Sequence, residues 1–270
     1  MNYEKVIARI SAFIPQQYIE VTSRGNTAIK AALSALPRGS TVLIPAEGGW
    51  LTYKEYPLEF GLKIDEVACV DAVLDLIDLE AKLKQGNVSA LLYHHLGGYF
   101  AMQRVREIYG LCKRYNCLVI LDVCGSFGTP LLDPRYADVL VGSFGKWKLI
   151  PAHGGGFVAC RDKIFFESMD VEAFRDEEQL AKVLLKFDEL DDRVLFLLRK
   201  RAEVVHGLAD HNILCRDSPG FVVVVEFESQ EEKEEILAYC RKENLEWTEC
   251  PRYIRLMRAA ISIEIKRLEG

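Results

Sequence analysis

The sequence predicts an α/β protein with three α/β/α layers around a mostly parallel sheet, followed by a small α+β unit. Two observations favour this fold class. The first two thirds of the chain alternate short apolar runs, typical of buried strands, with helix-like segments. Beyond residue 170 the pattern changes to charged stretches with apolar residues at helical spacing, followed by a few strand-like runs. We therefore expect a larger domain at residues 1–170 and a second one at 171–270.

The expected elements follow from the periodicity of the apolar residues. In the first domain they are a helix from about Asn26, a strand at 41–46, a helix around 77–84, a strand at 89–93, a helix at about 103–115, and strands at 117–122, 138–143 and 155–160. In the second domain they are one or two long helices within 171–208, a strand at 221–227, a helix at about 231–241 and a strand at 253–265.

The composition indicates an ordinary globular protein and argues against several functional classes. The 270 residues are 50% hydrophobic and carry a net charge of −6, with both signs scattered along the chain. A nucleic-acid partner is therefore not expected, because no single-sign field is available for a phosphate backbone. No apolar run is long enough to span a bilayer and the first residues lack a signal-peptide pattern, so we expect a cytoplasmic protein.

The eight cysteines do not form a metal-binding pattern. Most of them lie in apolar runs, where cysteine behaves as a small core residue. Cys112 and Cys117 are close in sequence, but no second pair and no suitably spaced histidine completes a tetrahedral zinc site. We expect no metal.

The segment from Ala137 to Cys160 contains the most informative feature of the chain. Lys146 lies in a turn between two apolar runs that are predicted to be buried strands, which is a poor position for a packing residue. The strand before them ends at Asp122. Ligands of open α/β sheets bind at the carboxyl ends of the strands. An acid and an amine at that edge suit a carbonyl cofactor.

Three motifs resemble those of fold-type I enzymes that use pyridoxal phosphate (PLP). DVLVGSFGKW resembles the lysine motif, in which an S-x-x-K element carries the Schiff-base lysine, and Ser143 and Lys146 match its spacing. SRGNTAIKAALSAL resembles the phosphate-binding loop and helix, and LDVCGSFG resembles the aspartate strand. Their order and separations agree over residues 23–160. The segments at 42–53 and 93–98 are most similar to the DegT/DnrJ/EryC1/StrS aminotransferase branch.

The resemblance implies that Lys146 forms the Schiff base with PLP. Lys148 is the alternative, because this branch often has its lysine five residues after an S-F pair and Ser143-Phe144 would then indicate Lys148. The S-x-x-K spacing and the distance to the following glycine triplet favour Lys146.

The resemblance also assigns residues to the cofactor ring. Asp122 would pair with the pyridine nitrogen, although a strand-end aspartate can instead cap the next turn. Trp50 would stack on the ring or pack in the core. Tyr53 and His95 are weaker candidates near the same strand ends.

A phosphate cradle is expected where Gly25, Asn26 and Thr27 open a helix. Free N–H groups and the helix dipole attract an anion there, and Thr27 and Ser143 add hydroxyl donors. An ordinary helix cap would produce a similar sequence pattern.

The chain departs from the family pattern at two places that concern substrate binding. Gly125 stands where a glutamine often follows the aspartate by three residues, and no counterpart of a G-x-N-x-R-like element is evident between 161 and 190. The chain is also short on its carboxyl-terminal side. For a substrate carboxylate we select Arg255, with Arg252 as the alternative, because a guanidinium binds a carboxylate through two hydrogen bonds.

The predicted function is a PLP-dependent aminotransferase acting on an amino acid or amino sugar through Lys146. The resemblance implies a homodimer, because the cofactor pocket of this family lies at a dimer interface. One alternative keeps the cofactor in a lyase, racemase or cysteine desulfurase, although Cys250 lacks the flexible small-residue loop that a desulfurase nucleophile needs. The other alternative is a truncated, non-catalytic protein with the same fold.

Overall fold

The computed structural model describes residues 1–269. The strands are β1 (Tyr18–Thr22), β2 (Thr41–Pro45), β3 (Lys63–Val67), β4 (Cys69–Val70), β5 (Val73–Leu74), β6 (Val88–His94), β7 (Leu118–Asp122), β8 (Val139–Ser143), β9 (Gly156–Cys160), β10 (Asn212–Ile213), β11 (Val223–Glu226), β12 (Trp247–Arg252) and β13 (Leu256–Ile263). The helices are α1 (Asn2–Ser11), α2 (Gly25–Ser34), α3 (Tyr56–Glu59), α4 (Leu76–Lys84), α5 (Val105–Arg114), α6 (Lys163–Glu167), α7 (Glu177–Asp188), α8 (Leu190–Gly207) and α9 (Gln230–Lys242). Short 3₁₀ turns lie at Leu51–Lys54, Pro134–Tyr136 and Ile265–Arg267.

Seven strands form the main sheet in the order β1-β9-β8-β7-β6-β2-β3. The pairs between β8 and β3 are parallel, whereas β9 runs antiparallel to both β8 and β1. Apolar side chains fill both faces of the central strands, as expected for a sheet covered by helices on both sides. The predicted α/β class with a mostly parallel sheet and a small carboxyl-terminal α+β unit is confirmed.

The sheet topology brings several chain segments to one edge. Strands β6, β7 and β8 all end there, and His94 lies beside Asp122 in the register. Because β9 runs the opposite way, it begins at the same edge, so the loop 144–155 lies there too. Strand β1 also ends at this edge and leads through residues 23–24 into α2.

The carboxyl-terminal strands form a four-stranded antiparallel sheet in the order β10-β11-β13-β12. The strand expected at 253–265 is β13, which begins at Leu256, and the Arg255 N–H donates to the carbonyl of Arg252 at 2.8 Å and closes the turn that joins it to β12. The two long helices expected within 171–208 are α7 and α8. Strands β1, β3, β10 and β12 were not expected from the sequence.

One hydrophobic core connects the residues of the two expected domains. It includes Leu121 and Phe157 of the large sheet together with Val225 and Ile261 of the small sheet. The boundary near residue 170 stays a prediction. None of the helices in residues 1–269 is long and apolar enough to cross a membrane.

A buried ion pair joins the β12–β13 turn to the end of β13. Arg255 Nη2 donates to both carboxylate oxygens of Glu264 at 2.9 and 2.7 Å, and the two side chains are 3% and 1% exposed. Thr248 Oγ1 and Ser262 Oγ donate to the same carboxylate. Burial alone would raise the pKa of Glu264, but attraction to Arg255 and Lys266 outweighs it and lowers this pKa to about 2. Glu264 therefore stays ionised in the folded protein.

We expect Gly156→Ala to destabilise the protein by about 1–3 kcal/mol, because an added methyl group has no room. A Cβ at this position would lie 2.7 Å from the Arg24 carbonyl carbon, the Gly142 oxygen and the Gly25 nitrogen, all of them backbone atoms. Urea denaturation measures the change. The matched control is Gly110→Ala in the exposed part of α5, where a Cβ meets nothing within 4 Å. Gly110→Ala should stabilise the protein by about 0.5–1 kcal/mol. Equal changes in the free energy of unfolding for Gly156→Ala and Gly110→Ala would contradict the packing argument.

We expect Glu264→Gln to destabilise the protein by about 3–5 kcal/mol, because it leaves buried cations without their carboxylate. The control is Glu249→Gln at the surface, where Glu249 pairs with Lys233, and it should cost less than about 1 kcal/mol. The measurement is urea denaturation at neutral pH.

Glu264→Gln should also change the dependence of folding stability on pH in the acid range. A carboxyl group whose pKa falls from 4.5 to about 2 on folding contributes stability that is present above pH 4.5 and is lost as the pH falls through about 2. This part of the loss of folding stability in acid should be absent from Glu264→Gln and present in Glu249→Gln. An unchanged acid profile in the first variant would contradict the assignment.

Candidate active site

A cavity of about 350 Å³ opens at the shared edge of the large sheet. Its walls come from the start of α2, the ends of β7 and β8, the loop 144–155, residues 99 and 254, and the last turn of the chain at Lys266. Of the residues predicted for the site, this cavity brings together Gly25, Asn26, Trp50, Asp122, Ser143, Lys146 and Lys148. Strand ends of a mostly parallel sheet are the expected place for such a site.

Asp122, the last residue of β7, is 4% exposed and is held by two hydrogen bonds. Tyr53 Oη donates to Oδ2 at 2.7 Å and the Cys124 N–H donates to Oδ1 at 2.9 Å. Burial opposes ionisation, but attraction from the protonated form of His94 and from Lys148 and the hydrogen bonds from Cys124 outweigh it, so the pKa of Asp122 lies below its ordinary value. The cavity therefore contains a fixed carboxylate.

Lys148 is the cation that faces this carboxylate at neutral pH. Burial lowers the pKa of His94 to about 3, so its imidazole is neutral. Burial also opposes the charge on Lys148, but the anionic forms of Tyr99 and Cys124 and the carboxylate of Asp122 outweigh it, and the pKa of Lys148 is raised. Burial raises the pKa of Tyr99 to about 12, and the pKa of the Cys124 thiol is also raised by burial. Both are uncharged at neutral pH, so Asp122 is the anion of this group that acts on Lys148, without a direct salt bridge between the two side chains.

The two candidate lysines of the loop point in different directions. Lys148 Nζ donates to Tyr99 Oη and lies 5.1 Å from the centre of the Trp50 ring. Lys146 is exposed at the mouth of the cavity, with its Nζ 5.4 Å from the Trp147 ring, and it forms no ion pair with any residue from 1 to 269. The geometry thus favours Lys148, the alternative given by the S-F spacing, over Lys146.

The start of α2 lies against Ser143. The residue before the helix, Arg24, forms no side-chain cap, and the first N–H groups of a helix have no partner within the helix. Gly25 lies so close to β8 that a Cβ there would be 2.6 Å from Ser143 Cβ and 3.1 Å from its Oγ. Asn26 Oδ1 accepts a hydrogen bond from Trp50 Nε1 at 2.9 Å. This arrangement can hold an anion between the helix start and the Ser143 hydroxyl.

Three other residues that were predicted for the site do not line the cavity. Thr27 Oγ1 is 3.1 Å from Ser23 Oγ and stands outside the cavity wall. Tyr53 is buried and acts on the site through its hydrogen bond to Asp122. His95 Nε2 is 2.9 Å from the carbonyl oxygen of Leu131, away from the cavity.

The structure places Arg255 in a position that does not suit its expected role. Its Nε donates to Ser262 Oγ, its Nη1 donates to the Ile254 carbonyl and its Nη2 binds Glu264. Every nitrogen of the guanidinium is thus engaged inside the protein, which leaves no fork for a substrate carboxylate. The alternative, Arg252, is exposed on β12 and does not line the cavity.

Sequence reasoning missed two residues of the site, Tyr99 and Lys266. Tyr99 follows β6 after a loop, and its carbonyl oxygen accepts a hydrogen bond from the Phe221 N–H at 2.9 Å, which fixes the loop against the small unit. The aromatic residue after His95-Leu96-Gly97-Gly98 was the available signal. Lys266 reaches the cavity only because the end of the chain folds back onto it, and no local pattern indicates this.

The thiols near the site are not activated. Cys124 lines the cavity, but burial raises its pKa well above the ordinary value. Cys250 is buried on β12, does not line the cavity and also has a pKa raised by burial. Within residues 1–269, no cluster of His, Cys, Asp or Glu could hold a metal ion. The chemistry of this cavity therefore depends on its amine, its acid and its anion cradle.

Comparisons with solved structures find the same fold in PLP enzymes. The chain superimposes on DesV from S. venezuelae, in complex with a ketimine intermediate, with a TM-score of 0.80 and 17% identity, covering 100% of this chain and 85% of that one. For NtdA from Bacillus subtilis with the bound cofactor PMP, the TM-score is 0.78 at 14% identity, covering 98% and 73%. For serine palmitoyltransferase from S. paucimobilis, bound to a PLP-myriocin aldimine, it is 0.75 at 16% identity, covering 97% and 71%.

At these identities the structural matches establish the fold, and the family comes from the sequence profile. No curated protein sequence matches the chain. The profile of the DegT/DnrJ/EryC1/StrS aminotransferase family matches residues 2–177, which is more than half of the 270 residues. The chain therefore belongs to this family, whose cofactor is PLP.

Proposed function

We propose that this chain is a PLP-dependent aminotransferase for a primary amine or amino acid, and that Lys148 rather than Lys146 is the lysine that holds the cofactor. The observation that carries the proposal is that the Lys148 ammonium lies against Tyr99 and Trp50 in a cavity that also contains the Asp122 carboxylate and the start of α2. A homodimer, which the family resemblance implies, is part of the proposal.

The donor and acceptor set of the cavity fits PLP. Lys148 is the amine for its aldehyde, and Asp122 is an anion for its pyridine nitrogen. Gly25, Asn26 and Ser143 supply donors for its phosphate, and the missing side chain of Gly25 lets the helix start pack directly against Ser143. Trp50, which contacts both Asn26 and Lys148, is placed to cover the ring.

Bound PLP supplies an electron sink for the bond that breaks at the substrate carbon. Asp122, ionised and held by Tyr53, keeps a negative charge at one fixed point of the cavity. Lys148 is the base that moves the proton at the substrate Cα once its own amine is free. Tyr99 is uncharged and accepts a hydrogen bond from Nζ, so it orients Lys148 without competing for the proton.

The other reactions that this cofactor supports receive less from the site. A cysteine desulfurase needs a reactive thiol, and both Cys124 and Cys250 have raised pKa values. A non-catalytic protein has no use for a lysine and a carboxylate held in one cavity, because removing charges from water costs free energy. These considerations, with the family membership, favour transamination.

The first test compares two alanine variants after purification with added PLP. Wild type should show the absorption band of lysine-bound PLP near the visible edge. Lys148→Ala should lose the band and Lys146→Ala should keep it, because Lys148 reaches Tyr99 and Trp50 within the cavity whereas Lys146 is exposed at its mouth. Absorption before and after borohydride reduction, followed by peptide mapping, gives the position of the modified lysine.

The opposite result, with loss of the band only in Lys146→Ala, would restore the choice made from the S-x-x-K spacing. A wild-type protein without any band would contradict the proposed function itself. Thermal unfolding of both variants serves as the control for folding.

The second test concerns the acid. Asp122→Asn should lower the rate of amine transfer by about 10²–10³-fold, the scale of a lost preorganised electrostatic contact, while the lysine-bound band persists. Single-turnover spectroscopy with an excess of an amino acid measures this rate. The control is Asp133→Asn, a partly exposed turn aspartate that pairs with Arg135 and should change the rate less than about twofold. Equal rates in Asp122→Asn and wild type would contradict the role of Asp122.

A further inference from the structure

Lys266 is a second buried amine in the wall of the same cavity. It lies in the 3₁₀ turn after β13, and its backbone N–H donates to the Phe221 carbonyl at 2.9 Å. The residue is 6% exposed, with Nζ 4.8 Å from the centre of the Tyr99 ring and 5.9 Å from that of Trp147. Lys266 therefore carries its ammonium into the wall of the cavity that the turn after β13 forms.

The charge on Lys266 is only partly balanced. Its nearest anion is Glu264, at 3.3 Å, and this carboxylate is bound through both oxygens by Arg255 at shorter distances. Arg267 Nε approaches the same carboxylate at 3.7 Å, although its main partner is Glu246 at 2.7 Å. One buried carboxylate thus serves more than one buried cation. An ammonium has three donors, so Lys266 retains capacity for a further anion.

The titration of Lys266 agrees with this imbalance. Burial lowers its pKa to about 7, Glu264 acts in the opposite direction, and Arg255, Lys148 and Arg267 add to the lowering. A ligand anion would offset these repulsions and favour the charged form.

The space beside Lys266 continues beyond the main cavity. A smaller cavity of about 190 Å³ shares Lys146, Trp147, His153 and Lys266 with the main one. The basic side chains in its wall outnumber its two acids, Glu246 and Glu269. A molecule that extends from Lys148 past Lys266 therefore enters a region of net positive charge.

We propose that Lys266 binds an anionic group, a carboxylate or a phosphate, carried by the amine substrate at a distance from its reacting nitrogen. The inference rests on the proposed function. It assigns to Lys266 the part of substrate recognition that Arg255 cannot perform. The cofactor's own phosphate has a separate cradle at the start of α2, formed by Gly25, Asn26 and Ser143. Lys266 is thus a specificity-determining residue.

The main experiment compares amines with and without a terminal anion. PLP-loaded protein is titrated with n-butylamine, 4-aminobutyrate and 3-aminopropyl phosphate, and the shift of the lysine-bound band gives each dissociation constant. Wild type should bind one or both charged amines at least tenfold more tightly than butylamine, the scale of a charge-assisted hydrogen bond. Comparison of the two charged amines distinguishes the carboxylate from the phosphate.

Substitution of Lys266 should remove this preference. Lys266→Gln should weaken the charged amine about tenfold or more and butylamine less than twofold, and Lys266→Arg should recover most of the preference. Lys182→Gln is the control, since it removes a surface cation that pairs with Glu178 and lines neither cavity, and it should change each constant less than twofold. PLP affinity should stay within twofold in all variants.

Three results would overturn the proposal: no preference for charged amines in wild type, equal weakening of all three amines in Lys266→Gln, or a large loss of PLP affinity in that variant. The last would assign Lys266 to the cofactor phosphate instead.

A second measurement uses the protein without PLP and is independent of the proposed function. Acetylation by acetic anhydride at pH 7.5 is followed by mass spectrometry at Lys266 and at exposed Lys163. Saturating succinate or inorganic phosphate should slow the reaction of Lys266 at least fivefold and leave Lys163 unchanged. If neither anion slows the acetylation of Lys266, the inference is wrong, even where no PLP band forms.

Discussion

The site depends on the Lys148 ammonium and the Asp122 carboxylate, which share one cavity. A charge removed from water needs a fixed partner, and the sheet order supplies one. Because β7 and β8 are adjacent and parallel, the residue that ends β7 and the loop that follows β8 meet at the same edge. Tyr53 and Tyr99 then hold the acid and the amine through hydrogen bonds. The remaining parts of the cavity are arranged around this pair.

The small carboxyl-terminal sheet contributes to the site through a second set of buried charges. The pair of Arg255 and Glu264 ties the β12–β13 turn to the end of β13, and the next turn carries Lys266 into the cavity. Tyr99 connects the two sets, because its hydroxyl accepts from Lys148 while the Arg255 guanidinium lies 5.2 Å from its ring. Stability of the tail and chemistry of the cavity are therefore coupled through a few buried ionic contacts.

The sequence predicts those parts of the site that follow from strand ends and helix starts. Asp122, Ser143 and Gly25 stand at such points, and the structure brings them to one cavity. The choice between Lys146 and Lys148 depends on the direction of side chains in an irregular turn, which periodicity does not encode. Arg255 and Lys266 depend on long-range partners. Glu264 lies nine residues from Arg255 and occupies its guanidinium, and only the folded tail directs Lys266 inward.

The departure from the family pattern at Gly125 has a structural reason that bears on substrate recognition. A Cβ at this position would lie 3.1 Å from the Leu96 nitrogen and 3.2 Å from both His94 Nε2 and the His95 oxygen. Two of these contacts are with backbone atoms, so a glutamine could not stand here unless the segment after β6 moved. That segment also leads to Tyr99, which positions Lys148, so such a shift would disturb the amine as well. The recognition proposed for Lys266 uses a different element, the turn after β13, and does not depend on a side chain at position 125.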